Sequence, residues 1–338
     1  MSRSAVREEL AARPPGWGED GIPALTDSRG RQYDYLRLSV TDRCDLACVY
    51  CMPPGGEDDH GLRRELLSFE EAARLVAVFA MGGIRRVRFT GGEPLVRKDF
   101  VRMVDLVHRT TGLGDLVMTT NATRLGELAR PLRDAGLRGV NVSIDTLDPA
   151  RFRETTRGGE LSQVLAGLRA ATDVGFEVKL NAVVLRGVND DEIERLVDFA
   201  WDMDATPRFI ELMPLGEAAK LPRDRFTSND ELIARLARTR LSLDTDRARD
   251  AGAGPARYLE ARDGSGHRVG FISALSDNFC DSCNRVRVTA RGDIRACLAD
   301  RRAVSLRDVM RAGGTDADLA WAMQWSLSGK DEGHHFLD

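Results

Sequence analysis

The sequence predicts an α/β protein, an open, partial TIM-type barrel of about six βα units followed by an α+β region. Three observations carry this. Short, β-branched apolar runs recur at 35–40, 85–90, 116–120, 139–144, 177–185 and 208–213. Amphipathic helical stretches lie between them with no hairpin signal, so the strands are parallel. Successive runs begin 50, 31, 23, 38 and 31 residues apart, which leaves room for a crossover helix each time. Finally, polar residues with reactive side chains fall toward the ends of all six runs: Thr41 and Asp42, Gly91 to Glu93, Thr119 to Asn121, Ser143 to Asp145, Asn181, and Glu211 to Met213. Recruiting every strand end is barrel behaviour; a doubly wound sheet shows the same alternation but concentrates its site at one switch point. Six units are too few to close an eight-fold barrel.

In chain order, residues 1–33 are rich in Pro, Gly and charge and read as a flexible arm, with one short helix at 5–13. The first crossover helix is the clearest. Ser68 and Glu71 form a capping box, Leu75, Val78 and Phe79 make an apolar stripe, and Gly82 with Gly83 stops it. Further helices are expected at 99–109, 125–135, 162–174 and 190–203. After Met213 the pattern changes: Pro214 and Gly216 break the chain, a helix follows at 229–238, and 244–254 is a polar loop. The string RYLEARDGSGHRVGFISAL reads as two antiparallel strands turning at DGSG. A helical end spans 305–326. The organisation is therefore an arm (1–33), a barrel (34–215) and a C-terminal domain (216–338).

Composition narrows the function. With 49 basic and 53 acidic residues among 338, the net charge is −4, and no block of like charge occurs. Together with 6% aromatics, this disfavours a nucleic-acid partner bound through a broad basic face. An apolar share of 42% with 30% charged residues excludes wholesale disorder. No apolar stretch approaches the ~18–20 residues that cross a bilayer, and residues 1–16 hold no apolar core of the signal-peptide kind. A cytoplasmic protein without a membrane partner is expected. Of the 49 basic residues only four are lysines, so 45 are arginines, mostly genomic background.

The six cysteines fall at 44, 48 and 51 and at 280, 283 and 297. Disulfides belong to short secreted chains, so two tight trios in a long chain read as metal or cluster ligands. Zinc usually draws four ligands as two separated pairs. The first trio lies in one loop without a fourth Cys or His close by; His60, nine residues on, is a weak candidate. Three thiolates on a four-iron cluster leave one iron open for chemistry. For Cys280, Cys283 and Cys297, spacing alone leaves zinc with His267 as a competitor.

The spacing Cys-x3-Cys-x2-Cys, with Tyr50 before the last cysteine and Gly91-Gly92-Glu93-Pro94 after the next strand, resembles the radical S-adenosylmethionine superfamily. The strings RLSVTDRCDLACVYCMP, RFTGGEPLVRKDF, TTNA, VNVSIDTLD, VKLNAVV, RFIELMP and FCDSCNRVRV, in that order over residues 27–300, resemble the GTP 3′,8-cyclases of molybdenum cofactor biosynthesis, the MoaA family. The resemblance implies a radical SAM fold whose C-terminal cap carries a second iron–sulfur cluster. It implies two 4Fe-4S clusters and S-adenosyl-L-methionine as cofactors. Cys44, Cys48 and Cys51 would carry the first cluster. Tyr50, Gly91, Gly92, Glu93, Ser143 and Met213 would form the S-adenosylmethionine site, the glycines letting backbone approach the methionine moiety. Cys280, Cys283 and Cys297 would hold the second cluster, against the guanine of GTP. Arg37, Arg88, Thr119, Lys179, Arg285 and Arg287 match GTP contacts, with Lys179, Arg285 and Arg287 closest to the reaction.

Arginine suits a triphosphate because it stays charged and donates in a fork. Lys179 is telling because an unpaired ammonium inside an apolar strand is costly. Arg208 is a further substrate-binding candidate, and Arg86 shares the face of Arg88. The implied reaction removes hydrogen from ribose C3′ and joins that carbon to guanine C8, giving 3′,8-cyclo-7,8-dihydro-GTP. Implied partners are a flavodoxin-like single-electron donor, a downstream cyclic pyranopterin monophosphate synthase, and a second copy in a homodimer. Two departures stand out: Ala122 replaces the glycine of TTNG, and GHHFLD stands where the family has a Gly-Gly tail. They leave, as the alternative, a related radical enzyme acting on another nucleotide.

Overall fold

A computed structural model describes residues 13–14, 17–18, 21–54, 61–243, 254–299 and 303–333. The six expected strands are present: β1 (Tyr35–Ser39), β2 (Arg86–Thr90), β3 (Asp115–Thr120), β4 (Leu137–Ser143), β5 (Glu177–Val183) and β6 (Thr206–Ile210). Each pairs in parallel with the next, in the order 1-2-3-4-5-6. A doubly wound sheet would reverse direction at a switch point, so the uninterrupted order decides for the barrel.

The crossover helices are α1 (Phe69–Met81), α2 (Phe100–Thr111), α3 (Leu125–Asp134), α4 (Pro149–Thr156), α5 (Leu161–Asp173) and α6 (Ile193–Asp202). The capping box of α1 forms as read, Ser68 Oγ accepting from the Glu71 amide. Sequence reasoning missed α4. Its signals were Asp148, which accepts from the amides of Ala150 and Arg151, and Pro149 in the first turn. The core lies between helices and sheet, where Leu36, Phe79, Val87, Phe89, Met103, Leu116 and Phe209 are buried.

The C-terminal region contributes α7 (Asn229–Leu236), the antiparallel hairpin β7 (Arg257–Glu260) and β8 (Arg268–Ile272), then β9 (Arg285–Val288), β10 (Asp293–Arg295) and β11 (Val304–Ser305). These strands extend the barrel sheet instead of forming a detached cap: β8 joins β6 in parallel and β9 joins β1 in parallel. The edges of a half barrel carry unpaired backbone groups, and this pairing covers both. The sheet stays open, with β7 and β11 at its two ends. The expected long terminal helix is two, α8 (Leu306–Arg311) and α9 (Asp316–Ser328), separated where Gly313 takes φ +85°.

The loose-arm reading fails from residue 21 onward. Leu25 and Tyr33 are buried, and Asp27 accepts from Tyr33 Oη (2.8 Å) and Arg31 Nε (2.5 Å). Charge misled the reading, because these charges pair locally around an apolar anchor. The expected helix at 5–13, the loop at 244–254 and His60 lie almost wholly outside the described residues. Among the described residues no helix is long and apolar enough to cross a membrane.

Candidate active site

A cavity of 340 Å³ runs through the barrel. Near the C-terminal ends of the strands it is lined by Tyr50, Ser143, Asp145 and Met213. Near the N-terminal end of β9 it is lined by Cys280, Cys283 and Cys297. The first trio follows β1; Cys280 and Cys283 precede β9, which is parallel to β1, and Cys297 follows β10, which is antiparallel to β9, so the two trios lie at opposite ends of the barrel.

The first loop is held by backbone. The amide of Gly92 donates to Thr41 O (3.0 Å) and that of Glu93 to Arg43 O (2.8 Å). A Cβ on Gly91 would stand 2.4 Å from Thr41 O, and one on Gly92 would stand 2.2 Å from Arg43 O. The two glycines therefore let the strand-2 loop lie directly on the chain leading into Cys44. This close backbone packing is a second use of their bareness, beside the expected approach to a ligand. Glu93, expected at the cofactor, turns inward instead. Its carboxylate accepts from the Leu95 amide (2.9 Å), Thr120 Oγ1 (2.8 Å) and the Asn121 amide (2.7 Å), tying the end of β2 to the end of β3. Ala122 follows at φ +62° with its methyl fully buried, so packing offsets a left-handed conformation that costs a non-glycine residue roughly 1–2 kcal/mol.

Burial raises the Glu93 carboxyl to about 7 from its ordinary value near 4.5, despite the hydrogen bonds that favour the charge. A raised folded-state value stabilises most below the unfolded value and is lost as pH rises through the folded one. Denaturant unfolding should therefore show Glu93 contributing roughly 2–3 kcal/mol less at pH 8 than at pH 5. Glu93→Gln should remove that share of the pH dependence. Equal pH slopes in the two proteins would refute it.

The six thiols are free. Burial pushes Cys44 up to about 11 and Cys48 higher, and both sense the charge of Cys51, so the first trio shares one basin. Among the described residues no three Cys, His, Asp or Glu side chains stand at metal-ligating separation. The donor set still fits a cluster that takes three thiolates, on a loop cradled by two glycines. Next to it, Tyr50 Oη donates to Asp145 (2.7 Å), which also accepts from the Val183 amide (2.8 Å). Burial lifts Asp145 to about 6. In the second trio, Cys283 is brought down to about 6: burial raises it, but Arg285 and Lys330 outweigh that. Lys330 Nζ lies 3.3 Å from its sulfur, and Arg31 donates to Cys280 O (2.8 Å). His267 stacks on Trp201 (5.4 Å) and does not line the cavity, which removes it as a fourth ligand.

Between the trios lie Arg37, Arg88, Arg208, Arg285 and Arg287, all on the cavity wall. Register sets Arg287, Arg37 and Arg88 side by side on β9, β1 and β2. None of the five pairs with a carboxylate among the described residues. Arg88 donates to Tyr35 Oη, to Met118 O (3.2 Å) and to Thr119 Oγ1 (3.4 Å). Both Nε and Nη2 of Arg208 donate to Asn181 Oδ1 (2.9 and 2.7 Å). Arg285 lies over the Phe279 ring at 4.6 Å. The Arg37 Nε is buried without a partner. Burial, then Arg287 and Arg88, drag the Arg37 guanidinium well below its ordinary value, and burial with Arg285 brings Arg287 to about 10. Burial would raise the Tyr35 phenol, yet Arg88 and Arg37 hold it below its usual value.

Lys179 lines the cavity but is not unpaired, since it meets Glu177 at 2.5 Å, two residues back on the same strand face. Arg86 shares the Tyr35 ring with Arg88 as alternation implied, but it pairs with Asp115 (2.5 Å) and leaves the cavity. The sequence reading passed over Tyr35, Asn141 and Lys330. Asn141 left a signal as the one polar residue among the inward positions of VNV; Lys330 is one of only four lysines.

Comparison with known proteins bears on this cavity. Residues 38–200 match the radical SAM superfamily and residues 205–336 match Molybdenum Cofactor Synthesis C. A GTP 3′,8-cyclase of Rhodopseudomonas palustris (strain TIE-1) is 44% identical over 317 residues, 93% of this chain and 90% of that protein. A GTP 3′,8-cyclase of Pseudomonas putida (strain W619) is 46% identical over 322 residues, 94% of this chain and 95% of that one. Among solved structures, Streptococcus suis SuiB bound to S-adenosylmethionine aligns with TM-score 0.59 at 15% identity. That alignment covers 82% of this chain and 65% of SuiB, under two thirds of its length. The structure of native anSMEcpe with bound AdoMet aligns with TM-score 0.56 at 15% identity, covering 89% of this chain and 82% of that one. At such identities the likeness concerns the fold.

Proposed function

Because the chain belongs to the GTP 3′,8-cyclase family within the radical SAM superfamily, and is thus a 4Fe-4S and S-adenosylmethionine enzyme of molybdenum cofactor biosynthesis, we propose that its arginine-lined cavity holds GTP between the two cysteine loops. The observation that carries this is the set of five cavity-facing arginines without a carboxylate counterion. Like charges gathered in a partly dry space are unfavourable until a polyanion arrives, and a triphosphate is a polyanion matched to forked donors.

Each residue then has a task. Cys44, Cys48 and Cys51 hold the first cluster, and Tyr50, anchored on Asp145, closes that end of the cavity beside Ser143 and Met213. Gly91, Gly92 and Glu93 fix the loop from behind. Arg37, Arg88 and Arg287 take the phosphates, with Arg208, Arg285 and Lys179 flanking them, and Thr119 orients Arg88. Cys280, Cys283 and Cys297 hold a second cluster at the purine end. When bound, the first cluster and S-adenosylmethionine supply the carbon-centred radical that starts the reaction; the chain's share is to orient the ribose toward it and exclude water. A cytoplasmic setting, a flavodoxin-like electron donor, a downstream synthase that consumes the cyclic product, and a homodimer complete the proposal.

The test separates the two loops. Anaerobically reconstituted wild-type protein should hold about eight irons and convert GTP to the cyclised product, on the logic of two four-iron clusters. Cys283→Ser should hold about four, still cleave S-adenosylmethionine, and leave GTP unconverted. Unchanged iron, or loss of the cleavage itself, would show that the second trio is not a separate substrate-facing cluster.

A further inference from the structure

Two asparagines face the cavity from neighbouring strands, Asn141 on β4 and Asn181 on β5. The Asn181 oxygen is taken twice by Arg208. Asn141 is different. It is only 7% exposed, it lines the cavity, and its side chain has no hydrogen bond to any other described residue. Its amide opens on the cavity with both its donors and its acceptor uncommitted to the fold, so a ligand there can take them.

Its place in the sheet restricts that ligand. Across the strands Asn141 is in register with Thr119 on β3 and Lys179 on β5. Along β4 it lies two residues before Ser143 and so on the same face. The row of Arg287, Arg37 and Arg88 lies mid-strand, two residues before the level of Asn141, and the second trio lies beyond it toward the N-terminal end of β9. Asn141 thus stands between the row of Arg287, Arg37 and Arg88 and the part of the cavity lined by Ser143, Met213 and Tyr50, where Arg208 is level with Ser143 through Asn181.

We propose that Asn141 is the group that holds the ribose of the nucleotide, its amide hydrogen-bonding the 2′,3′-diol. This rests on the reading of the cavity given above, with phosphates on the arginines and the purine toward the second trio; the sugar is the part of the nucleotide left over. A neutral amide, donor at one end and acceptor at the other, matches a neutral diol and adds nothing for phosphate that five arginines do not supply. Holding the diol fixes C3′ toward the end of the cavity where hydrogen is removed.

The test compares equilibrium binding of GTP, 2′-deoxy-GTP and 3′-deoxy-GTP to the reconstituted enzyme without S-adenosylmethionine. Wild type should prefer GTP over at least one deoxy analogue by about 3- to 10-fold, the worth of one neutral hydrogen bond. In Asn141→Ala and in the near-isosteric Asn141→Leu that preference should fall to about 1, with GTP weakened to the level of the analogue. The leucine variant should keep the unfolding midpoint of wild type, because the amide it removes holds no other described residue; this separates lost contact from lost fold. Under turnover, both variants should form more 5′-deoxyadenosine per product as the sugar is held less firmly. Equal binding of all three nucleotides by wild type, or weakening of all three alike in the variants, overturns the proposal. Competition by inorganic tripolyphosphate, read in the same assay, tests the arginine reading on its own. If it fails to displace GTP, the phosphate assignment falls while the ribose discrimination still reports on Asn141.

Discussion

Replacing Gly92 with alanine should empty the first cysteine loop of iron while the second stays loaded. The added methyl would stand 2.2 Å from Arg43 O, 2.5 Å from Arg43 C and 3.0 Å from Cys44 N, all backbone atoms that cannot rotate away. The chain into Cys44 must move by the order of an ångström, and the Glu93-to-Arg43 hydrogen bond goes with it. Overpacking of this kind costs about 1–3 kcal/mol of stability. The functional loss should be far larger, because three thiols set by one loop do not tolerate displacement of the first. Reconstituted Gly92→Ala should hold about four irons rather than about eight, and S-adenosylmethionine cleavage should fall by at least about 100-fold, the usual consequence of a ~1 Å misplacement. Gly126→Ala is the control: that glycine lies in helix α3 with nothing within 4 Å of a built Cβ. It should keep all its iron and gain about 0.5–1 kcal/mol. Full iron in Gly92→Ala would mean that the loop does not need the bare glycine to set Cys44.

That contrast marks what a sequence conveys and what it leaves out. The barrel was legible because its signals are local and periodic: β-branched runs, a capping box at Ser68 and glycine stops recur at the spacing of a βα unit. The cysteines were legible because ligand spacing is a short-range property. The packing of Gly91 and Gly92 on Thr41 and Arg43 is a contact across some fifty residues, and nothing local marks it. The same holds for Glu93, whose three partners lie on its own turn and at the end of β3. The joining of β9 to β1 escaped notice because RVRV is short and half polar, its arginines facing the cavity and its valines the core. Arg37, Arg88 and Arg287 could each be singled out, but their alignment depends on register between strands far apart in the chain. Charge in a sequence does not say whether it is countered. Lys179 looked unpaired and has Glu177, whereas Arg37 looked ordinary and has no counterion.

The uncountered charge leads to the other large effect, with stability and function moving in opposite directions. Arg37→Met should bind GTP roughly 30- to 150-fold more weakly, the loss of one charge-assisted contact worth about 2–3 kcal/mol. The unliganded protein should nevertheless become more stable, by about 1–2 kcal/mol, because a guanidinium with a buried, partnerless Nε between Arg287 and Arg88 is replaced by a side chain that needs no solvation. Its counterpart is Arg86→Met. Arg86 lies on the neighbouring strand β2, two residues before Arg88, but it is bound to Asp115 and off the cavity. That change should lower stability slightly, by less than about 1 kcal/mol for a half-exposed pair, and leave GTP binding unaltered. Inorganic tripolyphosphate should raise the melting temperature of wild type more than that of Arg37→Met, since the ion relieves in one protein a repulsion that the substitution has already removed in the other. Thermal unfolding with and without tripolyphosphate, beside GTP titrations of both variants, reads all of this. If Arg37→Met is destabilised as Arg86→Met is, the arginine row is countered within the fold and the cavity is not waiting for a polyanion. If it is stabilised but binds GTP normally, the row has some other occupant.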